Sequence, residues 1–307
     1  MSARDGWFRH GAVAARLAAD RGDLWLAGAL GALTYLAWLP LVITVGTVPR
    51  TSDLAFLGAG LLSSELFPLN VFLIATVAAL GVLVACLIAA LAEASLLRAT
   101  GLGTPGRSMM RELEVTFSVI LVAALPAVAV GAALISGTAA VGPAEFGAPD
   151  LGVPLALRIA LRLAPLLVAF ALLAWLGQAF GAVVLRRAAG PTALPVGEAV
   201  KAAMRDLIRH PLRPLGLALT SFLADLLAVA LAVALLHALW APIAAELAGG
   251  QLVSPVALLL LVGFVATWLV VTLAFGALHV WFSCWWSLEM DRTPGGEAAP
   301  ESLEAQA

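Results

Sequence analysis

The stretch VFLIATVAALGVLVACLIAALA (71–92) decides the reading of this chain. It carries no charge, and at 1.5 Å per residue a helix of this length covers the roughly 30 Å hydrocarbon core of a bilayer. A core helix of a large soluble protein usually runs 8–20 residues and keeps a polar face. This segment has none, so it predicts a transmembrane helix.

The same test finds further spans on either side. Uncharged windows cover 24–49, 66–92, 115–144, 163–185 and 247–288, and a further helix from Pro214 to Trp240 is interrupted by a single acid, Asp225. The window 247–288 is too long for one span and too short for two, so Gly249, Gly250 and Pro255 mark an entry loop and the helix starts near Ser254. The fold expected is all-α and polytopic: six transmembrane helices at about 24–46, 67–92, 115–140, 163–185, 214–240 and 255–284. A segment 1–23 precedes this 24–288 domain and a disordered tail 289–307 follows it. The last span ends in WFSCWW (281–286), where an aromatic belt is expected at the membrane–water interface.

Composition agrees. Of 307 residues 62% are hydrophobic and 12% charged, against roughly 45–50% and about 25% in soluble domains. The net charge of −2 argues against a nucleic-acid partner. Cys86 and Cys284 lie inside apolar runs without a CxxC or Cys/His spacing, which predicts buried structural thiols and no zinc site or cofactor. The first apolar run begins at Leu24, spans 23 residues and lacks a small-x-small cleavage site, so an uncleaved anchor is expected. Lys201 is the one lysine among 17 basic residues, a bias typical of a high-GC bacterial genome. The expected location is therefore the bacterial plasma membrane.

Basic residues set the orientation, because Lys and Arg beside spans are retained in the cytoplasm. Arg4, Arg9, Arg16, Arg21, Arg98, Arg107, Arg111, Arg186, Arg187, Lys201, Arg205, Arg209, Arg213 and Arg292 fall on one side, and only Arg50, Arg158 and Arg162 on the other. Both termini are expected inside. Arg158 and Arg162 follow Glu145 and Asp150 at the outer entry of the fourth span, where snorkelling with local ion pairing accounts for them; contact with an anion or a lipid headgroup is the alternative.

The cytoplasmic junctions repeat. LLRATG (96–101) and MREL (110–113) follow the second span; LRRAAG (185–190) and MRDL (204–207) follow the fourth. This predicts successive units of an amphipathic cytoplasmic helix and a transmembrane hairpin. In GEAVKAAMRDLIRH (197–210), Ala199, Val200, Ala203, Met204, Leu207 and Ile208 share one face, and Lys201, Arg205 and Arg209 form a stripe beside it. Such a helix either rests on anionic lipid headgroups, apolar side down, or packs across the base of the bundle, where a protein partner can dock.

These L-x-R-A-x-G and M-R-[E/D]-L junctions, with the six-span count, resemble a group of bacterial six-helix membrane proteins. The group is related to the membrane domain attached to some glycerophosphodiester phosphodiesterases. The resemblance covers most of the chain and implies a membrane-embedded module without assigned chemistry, since no stretch is long enough for a catalytic domain.

Enzyme signatures are missing: no HExxH, GxSxG, P-loop or GxGxxG motif occurs, and His10, His210, His237 and His279 lie far apart. No enzymatic activity is expected. Pro40, Pro126 and Pro165 fall inside spans one, three and four and can kink them, and Gly177 and Gly181 in GQAFG (177–181) have the spacing of a close helix contact. Four polar residues lie at membrane depth. Asp225 is near the centre of its span, Gln178 is about 12 Å in from the cytoplasmic side, and His279 and Glu93 are nearer that side. Together they are a candidate intramembrane cluster, with Ser221 one turn from Asp225 as a hydrogen-bond donor and Gln178 as its partner across the interface. Two functions follow: a non-enzymatic scaffold or assembly module, or a small transporter or channel using the cluster around Asp225.

Overall fold

The computed structural model describes residues 3–34, 36–46, 60, 63–146, 155–191, 193–248 and 255–290. Of the expected tail 289–307, residues 289 and 290 instead end the last helix and 291–307 lie outside the described residues, as do the entry-loop residues Gly249 and Gly250, Arg50 and Asp150. Every regular element among the described residues is a helix: α1 (Ala3–Asp20), α2 (Leu24–Ala32), α3 (Trp38–Val45), α4 (Leu69–Ala99), α5 (Met109–Phe146), α6 (Leu155–Arg162), α7 (Ala164–Ala189), α8 (Val196–Arg209), α9 (Leu212–Ala248) and α10 (Pro255–Met290). Five of them, α4, α5, α7, α9 and α10, are long and apolar enough to cross a membrane.

The first expected span differs. Residues 24–46 form two short helices, α2 and α3, instead of one. Proline explains the restart: Pro40 lies in the first turn of α3, where its missing N–H leaves no bond unmade. Carbonyls around the break also accept from side chains. Thr34 Oγ1 donates to Gly31 O at 2.6 Å, Trp38 Nε1 to Leu33 O at 2.8 Å and Trp268 Nε1 to Ala37 O at 2.9 Å. Pro165 likewise sits in the first turn of α7, just after α6 ends, whereas Pro126 lies within α5 without ending it.

The chain divides into two compact units. One comprises residues 1–46, 86–120 and 179–307. Its apolar centre joins the α2–α3 break to α9 and α10, through Ala32, Leu36, Ala37, Ala232 and Phe275, and continues through Leu236, Ile243 and Phe264. Small residues bring α2 against α10: a Cβ added to Gly28 would collide with the Gly276 carbonyl, and one added to Gly276 with the backbone of Trp25 and Ala29.

In the same unit α1 lies against the end of α10. His10 Nδ1 is 3.0 Å from Glu289 Oε2, Trp281 Nε1 donates to Gly11 O at 2.9 Å, and the rings of Trp7 and Trp285 are 4.9 Å apart. The tryptophans expected to form an aromatic belt are thus largely internal: Trp285 and Trp286 are buried. Part of the cover comes from α1, where Trp7 and Gly11 lie against the Trp285 ring.

The other unit comprises residues 47–85 and 121–178. Here α5 and α7 run antiparallel. A Cβ added to Gly177 would lie 3.0 Å from Ala123 O, one at Gly131 would be 3.8 Å from Phe170, and one at Gly137 3.0 Å from Leu163. Gly177 of the GQAFG pair is therefore a close-packing position. Arg158 and Arg162 both pair with Glu145, which is buried, and Arg158 also donates to the Glu145 carbonyl at 3.1 Å.

Candidate functional site

Three helices of the first unit bring charge together inside it. Glu93 comes from α4, six residues before its end; Arg186 from α7, three residues before its end; and His279, Ser283 and Ser287 from successive turns of α10. Residues four apart share one helix face, so α10 presents these three polar groups as a row.

Arg186 Nη2 lies 2.5 Å from Glu93 Oε1, with the two side chains 6% and 9% exposed. Ser283 Oγ donates to Glu93 Oε1 at 2.8 Å and accepts from Arg186 Nη2 at 2.9 Å. Arg186 also donates to Ser283 O at 3.0 Å and, through Nε, to Ser287 Oγ at 3.1 Å. His279 Nε2 stands 3.3 Å from the other carboxylate oxygen of Glu93. A charge removed from water is tolerated only when paired and hydrogen-bonded, and here both ions are. Ser283 is engaged as donor and acceptor at once, so the row ties α4, α7 and α10 together.

The other sequence candidates stand as follows. Asp225 is half-buried on α9, within electrostatic reach of His279, and among the described residues no hydrogen bond or ion pair reaches it. Ser221 does not serve it: its hydroxyl donates to Ala218 O, 3.0 Å away in the same helix. Gln178 is the last residue of the other unit's α7 segment; it is exposed, and no hydrogen bond reaches it among the described residues. Cys284 is buried and Cys86 half-buried. No group of three metal-ligating side chains occurs among the described residues.

Sequence reasoning missed Arg186, Ser283 and Ser287. Arg186 was legible only as one more basic residue at a span end, yet a glutamate one span-end away needs a cation. The i, i+4, i+8 spacing of His279, Ser283 and Ser287 was the signal available in the sequence.

The two junctions also meet in this unit. Thr104 Oγ1 donates to Gly190 O at 2.9 Å and Arg107 Nη1 to Ala188 O at 2.9 Å, so the loop after α4 caps the end of α7. Gly101, at φ 70°, terminates α4 in the left-handed conformation that favours glycine. In the second junction Arg187 pairs with Asp206 at 2.7 Å; in the first, Glu112 is buried within electrostatic reach of Arg107 and Arg98.

On α8, Ala199 and Ala203 are buried, whereas Lys201, Met204, Arg205, Ile208 and Arg209 are exposed. The apolar face expected as one surface is split between an inward alanine pair and an outward Met204–Ile208 pair. No protein-family model, curated protein or solved structure matches this chain.

Proposed function

We propose that this chain is a non-enzymatic module of the bacterial plasma membrane, a scaffold or assembly subunit that holds another membrane-embedded chain. The observation that carries this reading is α4. Every residue from 71 to 84 is exposed, on all sides of a helix whose most apolar window has a mean hydropathy of 2.9. Without a hydrophobic drive in lipid, helices associate through shape and polar contacts, and an unoccupied span leaves a whole helix surface for a partner. The braced charge cluster supports the same reading, since its hydrogen bonds are directed at one another.

The module would have six spans, with α2 and α3 together as a broken first span and both termini in the cytoplasm. The distribution of basic residues supports that orientation. The two junctions would be copies of one unit, a reading favoured by the arginine of each L-x-R-A-x-G lying near the acid of its M-R-[E/D]-L. Reporter fusions after Gly103 and after Gly190 should both report cytoplasm; a periplasmic signal at Gly190 contradicts the topology. Copurification in mild detergent tests the function. A chain retained by the wild type and lost from Val77→Trp/Leu80→Trp supports it, and retention by neither or equal retention by both opposes it.

A small transporter or channel is the second reading. It is favoured by one observation: Asp225, a carboxyl without a hydrogen-bond partner among the described residues, stands near His279 and through it Glu93. An ionisable group at membrane depth commonly marks an ion or proton path.

A further inference from the structure

α8 is held where the spans end. Its entry follows α7 after six residues and its exit leads into α9 after two. Asp206 is tied to Arg187 at the end of α7 by two hydrogen bonds, of 2.7 and 3.0 Å. Leu194 N, in the connection, donates to Arg187 O at 2.9 Å. Ala199 and Ala203 are 0% exposed, so one face of α8 is used up inside the protein.

The opposite face is unoccupied and has two kinds of side chain. Met204 is 50% and Ile208 73% exposed, and Leu212, where α9 begins, is 87% exposed. Between them stand Lys201, Arg205 and Arg209, all exposed, with Arg213 following. Positions three and four apart on a helix are neighbours, so each apolar side chain has a cation beside it. On this outward face of α8 Glu198, one turn before Lys201, is the single acid, and none stands beside Arg205 or Arg209, since Asp206 is engaged by Arg187. The first junction lacks this arrangement, because its exposed Arg111 is paired with Glu114 at 2.7 Å.

We infer that the outward face of α8 is a docking surface for anionic phospholipid, with Ile208 and Met204 inserted at the acyl boundary and Lys201, Arg205 and Arg209 among the headgroups. Three points favour lipid as the occupant. The helix is anchored beside two membrane-spanning helices, so the leaflet is its nearest surface. Its charge is net positive, three cations to one acid, and complementary to anionic headgroups. Alternating apolar and basic side chains match the layering of an interface, with oil below and phosphate above.

The test uses the full chain in nanodiscs, with Cys86 and Cys284 replaced by Ala and an environment-sensitive fluorophore on Ile208→Cys. In an equal mixture of phosphatidylglycerol and phosphatidylcholine the emission should report an apolar environment. In phosphatidylcholine alone it should shift towards the water-exposed value. Lys201→Gln/Arg205→Gln/Arg209→Gln should abolish the difference between the two lipids, each lost charge lowering the docked-to-free ratio about fivefold, whereas Lys201→Arg/Arg205→Lys/Arg209→Lys should keep it. These replacements alter exposed side chains only. Emission from water in both lipids overturns the inference. So does an apolar signal that is equal in both lipids and unmoved by the glutamine variant, which would mean packing against protein or uncharged lipid.

Discussion

Arg186 of α7 and Glu93 of α4 form a buried ion pair at 2.5 Å, and Ser283 of α10 touches both members. Removing one partner of such a pair leaves the other buried without its closest counter-ion, which costs about 3–5 kcal/mol. Arg186→Met is therefore expected to lower thermal stability in detergent strongly. Arg186→Met combined with Glu93→Gln should be milder, because the neutral amide keeps contacts with Ser283 and His279 and leaves no orphaned charge. A double variant as unstable as the single one would mean that the pair is not what joins these helices.

The crossing of α2 and α10 depends on two glycines, and a third serves as its control. Gly28→Ala and Gly276→Ala each drive a methyl group into backbone and should cost about 1–3 kcal/mol, the usual range for overpacking. Gly263, also on α10, has nothing within 4 Å of an added Cβ. Gly263→Ala should raise stability by about 0.5–1 kcal/mol through helix propensity. Thermal unfolding of the three variants side by side reads this difference directly.

Asp225 separates the two functional readings. Because no hydrogen bond reaches it among the described residues, Asp225→Leu removes an acid that is unfavourable by about 2.5–3.5 kcal/mol at the centre of a span. Its melting temperature should stay the same or rise, and Asp225→Asn should behave alike. A fall in stability for Asp225→Leu would reveal a structural contact. If solute or proton flux in proteoliposomes disappears with Asp225→Asn while stability holds, the transporter reading gains over the scaffold.

The long helices were legible in the sequence because a span must be apolar on every side: 71–92 and 255–284 lie within α4 and α10. The broken first span was not. Pro40 signalled a kink, but the break is also held by Thr34, Trp38 and Trp268 donating to carbonyls around it, and Trp268 is remote in sequence. At the site, polarity at membrane depth pointed to Glu93 and His279, which the fold does bring within 3.3 Å. The counter-ion of Glu93, Arg186, was hidden, since an arginine at a span end looks the same whether it snorkels to water or turns inward. The split of the apolar face of α8 was hidden for a similar reason. Periodicity says which residues share a face, not which half of that face a neighbouring helix covers.

The central claim is that the exposed length of α4 meets another membrane-embedded chain, and a crosslinking scan tests it most directly. A photoreactive amino acid is placed in turn at each position from 71 to 84, and adducts are formed in native membranes. A helix docked on a partner gives protein adducts that rise and fall with a period of about 3.6 residues, strongest along one stripe and replaced by lipid adducts on the opposite side. Lipid adducts of even yield at all positions, with no protein band on any face, would contradict the account.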